Sequence, residues 1–464
     1  MRTSALVLLS FLIVAATPAE ERRCRTTAEL LRELASATPG VTVVLDDGEY
    51  PLESPVTVSV QATASRPFVI TARNRGKAVI TGNTRLLLRR ASHVVIDGLV
   101  FRNRGSAAVR LEGCTGVRIT RNRFALKEEG RGSWVMVTGV PGDSVTLSRG
   151  NRIDRNLFEG KKELGNFITV EGTKRFAPAV SQYDTIEFNH FRDIGPRAEN
   201  VLEAIRIGSS EYTLSKGYTL LRNNLFERCD GDPEYISIKQ SACTVRANTF
   251  RECLGSLSLR HGNGSVVEEN VVLGNGRTGT FLDSTGKRWT LGTGGVRFCG
   301  DSMIVRGNYF EGLTGTEWDA TIAATNGDAD YGEGMPLTKH FRITNTLLEG
   351  NILVNNRGGL EIGFDGAGFQ GNWWHRPPVN LTVQNNIIAG TTDTLVKLFT
   401  PPERSRFIAN IVHPAGSAAA SAVPLEGVTV KDPRLVRVNG LLLPEGVKSP
   451  LKILTAADVG PDAP

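Results

Sequence analysis

The sequence predicts an all-β chain, a right-handed parallel β-helix closed at its N-terminal end by a short capping helix. Three observations predict it. Glycine fills 50 of 464 positions, above the usual level of about 7%. Helical periodicity almost vanishes beyond a short N-terminal stretch. A phrase then recurs along the chain: an alternating strand, Asn, any residue, and a large apolar residue. Its copies are GVRITRNRF, NRIDRNLF, DTIEFNHF, TLLRNNLF, CTVRANTF, SVVEENVV, MIVRGNYF, LLEGNIL, LTVQNNII and RFIANIV, with asparagines at 122, 156, 189, 224, 248, 270, 308, 351, 386 and 410. The shortest gaps set a unit of 22 to 24 residues, and longer gaps carry inserted loops.

The elements follow in chain order. Arg2, the apolar stretch from Ala5 to Ala16 and Thr17-Pro18-Ala19 predict a signal peptide over residues 1–19, too short to span a bilayer comfortably. Residues 20–464 then form one β-helical domain, exported to the periplasm or secreted, where disulfides are permitted. Removal of Arg2 leaves 53 basic against 48 acidic residues, a net +5, which suits an anionic partner. Neither a nucleic-acid motif nor a membrane span is expected. Thr26 and Glu29 make a capping box for an amphipathic helix over LLRELASA, which covers the open end of the column. VTVVLDDGEY is the first strand, ended by an Asp-Gly turn.

From there each unit is too small to bury its own apolar face. Coils stacked at about 4.8 Å pair their backbones and build one apolar column. The repeat asparagine is expected to take the left-handed bend and to bond its neighbours above and below, with the apolar residue two places on pointing inward. A leucine-rich repeat lacks its leucine lattice here, and a propeller needs units of roughly 40–45 residues. Cys229 and Cys253 each lie five residues after a repeat asparagine, so they stack on adjacent coils within bridging reach; a buried thiol ladder is preferred. Six cysteines in 464 residues are too few for a disulfide-built scaffold, and no Cys-x-x-Cys pair suggests a zinc site.

One stretch is dense in charge for stacked strands: residues 223–262, NNLFERCDGDPEYISIKQSACTVRANTFRECLGSLSLRHG. Asp232 and Glu234 alternate with Pro233 and Tyr235, so both carboxylates are expected on one strand face. Arg260 follows Lys239 by 21 residues, which places it almost directly above Lys239 on the next coil, with His261 after it. The pattern predicts an acidic pocket beside a cationic one, against the plainer reading of a surface ion-pair ladder.

The order NNLF, DGDPE, IKQS, NTF and LRHG resembles polysaccharide lyase family six, the family of alginate lyases and chondroitinase B. RAENVLEAIRIGSS (197–210), GGVRFCGDSMIVRGNYFEGL (294–313) and the ending SPLKILTAADVGP are similar to further blocks of that family. The resemblance implies β-elimination of a uronate polymer, alginate first and dermatan sulfate second. It implies Lys239 as the base that removes the C5 proton and Arg260 as the acid, or electrostatic support, at the leaving O4. It implies His261 and Arg297 as holders of the substrate carboxylates, and Asn200, Asp232 and Glu234 as ligands of Ca2+. A free lysine has a pKa of about 10.4, so the base needs a depressed value; a guanidinium is a poor acid, so water can relay its proton. Relatives usually carry two glutamates where this chain has Asp232 and Glu234. Aspartate stops about 1.5 Å short of a glutamate's reach, and Pro233 stiffens the turn, so weaker calcium binding is expected.

Other features carry less. Glu203 and Arg206 are candidates for substrate contact or ion pairing. His190 and His413 sit on ordinary coils. Trp373-Trp374 reads as packing before sugar platform, and Asp328, Asp330 and Glu333 as a solvated loop before a second calcium site. A polygalacturonase-type hydrolase needs aspartate clusters, and the one Asp-Asp pair, Asp46-Asp47, lies at the capping end. A β-helix that only binds polysaccharide is the non-enzyme alternative.

Overall fold

The computed structural model describes residues 20–174, 178–198, 200–367 and 374–463. The leader expected over residues 1–19 lies outside the described residues. Three fourteen-stranded sheets run the length of the molecule, the first holding Leu220–Arg222, the second Leu225–Cys229 and the third Glu234–Lys239, and apart from the hairpin strand Thr278–Leu282 each strand pairs with its counterpart one coil away. Ladders between coils are parallel, as in Leu220–Arg222 on Thr244–Arg246. The architecture is a parallel β-helix. One apolar cluster extends from Cys24 to Val412. Helix α1 (Thr27–Ala35) caps the column, burying Leu30 and Leu34, and its capping box is present, with Thr26 Oγ1 accepting from the Glu29 amide. No helix among the described residues is long and apolar enough to cross a membrane.

The repeat asparagines form an unbroken ladder. Asn224 donates from its backbone and side-chain nitrogens to Asn248 Oδ1, at 3.0 Å each, and Asn248 does the same to Asn270 Oδ1. The pattern runs from Asn122 to Asn410. Each amide also donates to a backbone carbonyl of the preceding coil, and six of them donate to one of their own coil as well, as Asn248 does to Leu221 and Arg246. The expected left-handed bend falls one residue earlier. Arg121, Arg155, Phe188, Asn223, Ala247, Glu269, Gly307, Gly350, Asn385 and Ala409 carry φ of +51° to +62°. Turning the chain before the asparagine leaves its amide inside the stack. Two places on, Phe124, Phe158, Phe191, Phe226 and Phe250 are buried and stacked, with ring centroids 4.5–5.0 Å apart.

All six cysteines are unbridged. Cys229 and Cys253 stack as a buried thiol pair, the Cys229 amide donating to Cys253 Sγ at 3.4 Å. At the far end the hairpin Leu435–Val438/Leu441–Pro444 packs Leu441 and Leu443 on Val271, Tyr309 and Val354 of the second sheet. The tail then returns along that sheet, where the Leu454 amide donates to Thr249 Oγ1 and the Gly460 amide to the Phe188 carbonyl.

Asn248→Ala removes one rung, leaving the Asn224 backbone N–H without its acceptor in the core and taking one bond each from the Asn224 side-chain amide, Asn270 Oδ1 and the Leu221 and Arg246 carbonyls. The expected loss is about 2–4 kcal/mol, measured by urea denaturation against wild type.

Candidate active site

The charged stretch lies on the outward face of the third sheet. Strands β1 (Ile205–Gly208), β2 (Glu234–Lys239), β3 (Gly255–His261) and β4 (Arg288–Phe298) stack there in order. Register aligns Arg206, Ser237, Ser258 and Arg297 in one row across four coils. β4 begins in an antiparallel hairpin with Thr278–Leu282, which extends this sheet beyond the column.

Between β2 and β3 the register shifts twice, so that Ile238 pairs with Leu259 but Lys239 pairs with His261. This corrects the expected alignment. Arg260 is the extra residue of a bulge, and His261 stands opposite Lys239. A bulge re-aims its side chain, and here Arg260 Nε comes to 3.4 Å from Glu234 Oε1.

Glu234 is the hub. Its Oε1 accepts from Arg297 Nη2 and faces Arg260, and its Oε2 accepts from Ser237 Oγ. Burial alone would raise its pKa, but Arg297, Arg260 and Lys239 pull it down to about 2. Arg297 also rests against Ser258 Oγ and lies 5.0 Å from the Trp318 ring. Burial lowers the Arg260 pKa below its ordinary value, against Glu234 and with the help of Arg297. Arg260 Nη1 is buried without a hydrogen-bond partner. The Lys239 ammonium is half-buried and forms no ion pair among the described residues.

The two carboxylates expected on one face differ in role. Asp232 precedes β2 and is buried, accepting from the Glu234 amide at 2.9 Å and the Leu202 amide at 3.4 Å. Burial, then Glu203 and Glu234 beside it, pushes its pKa up to about 8. Glu203 is buried too and accepts from Asn166 Nδ2 at 2.7 Å. Asn200 is exposed on the loop leading to β1. Asn200, Asp232 and Glu234 offer only oxygen donors. Asp232 is a buried carboxylate with no ion-pair partner among the described residues. That donor chemistry suits a hard cation such as calcium, but both Glu234 oxygens are engaged by Arg297, Arg260 and Ser237, and the described residues hold no group of three or more His, Cys, Asp or Glu placed to bind a metal ion.

His261 is buried, with Nε2 at 3.2 Å from Ser210 Oγ. Burial, reinforced by Arg260 and Lys239, lowers its pKa to about 3, so it is neutral and offers a hydrogen bond rather than charge. Arg206 pairs with Glu171 at 3.3 Å. His190 bonds Glu227 on the second sheet at 2.8 Å, and His413 lies opposite Ala389 there, both away from this face. Asp328 pairs with Lys339, and Asp330 with Arg342 and Arg376, so cations of the protein neutralise that loop.

The repeat pattern missed an aromatic wall. Trp318 and Trp374 meet edge to face at 4.1 Å, and His340 lies 4.0 Å from Trp374 and 6.2 Å from His261. Trp373 lies outside the described residues. Trp318 and His340 sit in insertions without repeat period, so only their position beside Arg297 and His261 in the fold marks them.

With this geometry in place, the comparisons assign a family. The Chondroitinase B family model matches residues 24–443, and the chain belongs to that family, within polysaccharide lyase family six. The solved family-six alginate lyase AlyGC is 28% identical with a TM-score of 0.80, over 95% of this chain and 58% of its own. The chain thus spans little more than half of that lyase. A mannuronic acid specific family-six lyase from human gut microbiota is 24% identical with a TM-score of 0.70, over 89% of this chain and 91% of its own. Alginate lyase AlyF-OU02, solved in complex with G6, is 22% identical with a TM-score of 0.74, over 97% of each chain. These last two support the fold. No curated protein matches the chain.

His261 predicts a pH signature. Its folded pKa is depressed below the unfolded value of about 6.5, so between the two the unfolded chain binds a proton that the folded chain refuses, and stability falls with acidification. Between pH 6.5 and 4.5 wild type should lose about 2–3 kcal/mol relative to His261→Gln, read from paired denaturation curves.

Proposed function

We propose that the chain cleaves a polyuronate, with alginate as the leading substrate, by β-elimination. The observation that carries this reading is Lys239, half-buried and without an ion pair among the described residues, set beside Arg260 and Arg297 on the open face of a family-six β-helix. Those three cations surround one carboxylate, Glu234, and leave the face positive toward an anionic sugar.

In this reading the uncharged form of Lys239 takes the C5 proton. The electron pair left behind becomes the C4–C5 double bond as the C4–O4 bond breaks. Arg260, with one buried nitrogen unspent, supports the negative charge that develops on O4, and water relays the proton that O4 gains. Arg297 and neutral His261 orient the uronate carboxylate. Glu234 holds both arginines in place, and Trp318 backs Arg297. Calcium, held by Asn200, Asp232 and Glu234, would supply further neutralisation of the substrate carboxylate when bound.

Alginate is favoured by the alginate lyase AlyGC, the 28% identical structural relative. Dermatan sulfate is the second reading, favoured by the matching chondroitinase B family model. Purified protein should raise near-ultraviolet absorbance on one of these polymers as the conjugated product forms. New reducing ends without absorbance would mean hydrolysis, and no cleavage of any polyuronate would leave a binding protein.

Lys239→Ala should lower turnover by about 10²–10⁴-fold without changing the melting temperature, and Arg260→Ala should also abolish measurable turnover. Wild-type rates in folded Lys239→Ala would reject the base assignment.

Exhaustive chelation should lower the rate and added calcium restore it. Calorimetry should show tighter calcium binding in Asp232→Glu than in wild type. An undiminished rate in chelator with no calorimetric signal would remove the metal from this reading.

A further inference from the structure

At the corner where the third sheet turns back into the first, one position per coil forms a column whose members all have positive φ. Extending the paired register by two residues, the column runs His93, Gly116, Gly150, Tyr183, Tyr218, Ala242, Gly264 and Ser302. The glycines there have φ of +62° to +65°, the conformation that glycine adopts without penalty. Tyr183 and Tyr218 adopt it at +59° and +51°, which for a bulky residue is a strained outlier.

At two successive coils the corner carries a pair of exposed aromatic rings. Tyr183 and Tyr218 are 46% and 42% exposed. Their rings stack at 4.9 Å and 14°, and the Arg149 guanidinium lies 4.6 Å above Tyr183. One face of Tyr218 is covered by Tyr183. The next residues of the column on the other side are Ala242 and Gly264, so no large column neighbour covers the second face. Arg149 and Lys216, two residues before Tyr218, are exposed and form no ion pair among the described residues. Ala242 follows Lys239 by three residues, at most about 10 Å along the backbone, and Tyr218 stands one strand spacing, about 4.8 Å, from Ala242, so the Tyr218 backbone lies within about 15 Å of that of Lys239.

We propose that Tyr218, backed by Tyr183 and flanked by Arg149 and Lys216, is an outer binding platform for one pyranose unit of an anionic polysaccharide that leaves the Lys239 face over this corner. An apolar sugar face stacks on an aromatic ring, and Arg149 and Lys216 attract the carboxylate or sulfate of a neighbouring unit. The ligand class rests on the polyuronate reading; the platform itself rests on the corner.

The test is native electrophoresis of the Lys239→Ala chain through gels holding sodium alginate, dermatan sulfate or neutral dextran. One arm carries Tyr218→Gly in addition and another Tyr218→Phe. Retardation by an anionic polymer and not by dextran is expected. Tyr218→Gly should weaken it about three- to tenfold without lowering the melting temperature, because glycine suits the positive φ, and Tyr218→Phe should keep it. Equal retardation of parent and Tyr218→Gly, or no retardation of the parent, overturns the platform. So does a change in oligomeric state on size exclusion with retardation unchanged, which would make the pair a contact between copies. Weakened retardation in a protein whose wild type cleaves no polyuronate would uphold the platform and reject the lyase.

Discussion

Each coil of this helix has too little apolar surface to stand alone, so its strands persist because the next coil pairs with them at about 4.8 Å. The asparagine ladder turns that pairing into a fixed register. A buried amide that both donates to and accepts from its neighbours cannot slip by one residue without leaving polar groups unpaired in the core. From Asn122 to Asn410 the rungs hold even where the sequence gap widens from 22 residues to 43, because loops absorb the extra chain outside the stack. The ring stack from Phe124 to Phe250 and the thiol pair of Cys229 and Cys253 follow from the same register.

That regularity is what gives a departure from it chemical meaning. On β3 one added residue breaks the match with β2, and it is Arg260. Without the bulge Arg260 would stand over Lys239, and two cations on neighbouring strands would repel. With it, Arg260 turns toward Glu234, which also holds Arg297, and a single buried carboxylate organises two guanidiniums while Lys239 keeps its ammonium unpaired among the described residues. The electrostatics follow from burial. The cations hold Glu234 ionised, while Asp232, buried beside Glu203 and Glu234 and with no ion pair among the described residues, is pushed the opposite way.

Most of the fold was legible because its period is short and its signal repeats: one asparagine and one inward apolar residue per coil are enough to count coils. The capping helix was legible from two residues, Thr26 and Glu29, since a capping box is local. The residues of the charged stretch were legible as neighbours, since adding one coil length to a residue number lands on the next strand. The location of the left-handed bend was misplaced by one residue, because asparagine's tolerance for that conformation is a weaker constraint than the burial of its amide. Trp318, His340 and Trp374 were not legible as one wall, because they come from insertions whose paths no period dictates.

The sequence by itself determined the solenoid, its register and the set of charged residues carried to one face, because backbone pairing between equivalent coils converts a count of residues into a position. Only the tertiary structure decided which of those charges touch. The bulge at Arg260, the neighbours that set Asp232 apart from Glu234, and the loops that bring Trp318 against Arg297 depend on packing among segments distant in sequence. A difference of one residue or one side-chain rotation there changes the contact while leaving the period untouched.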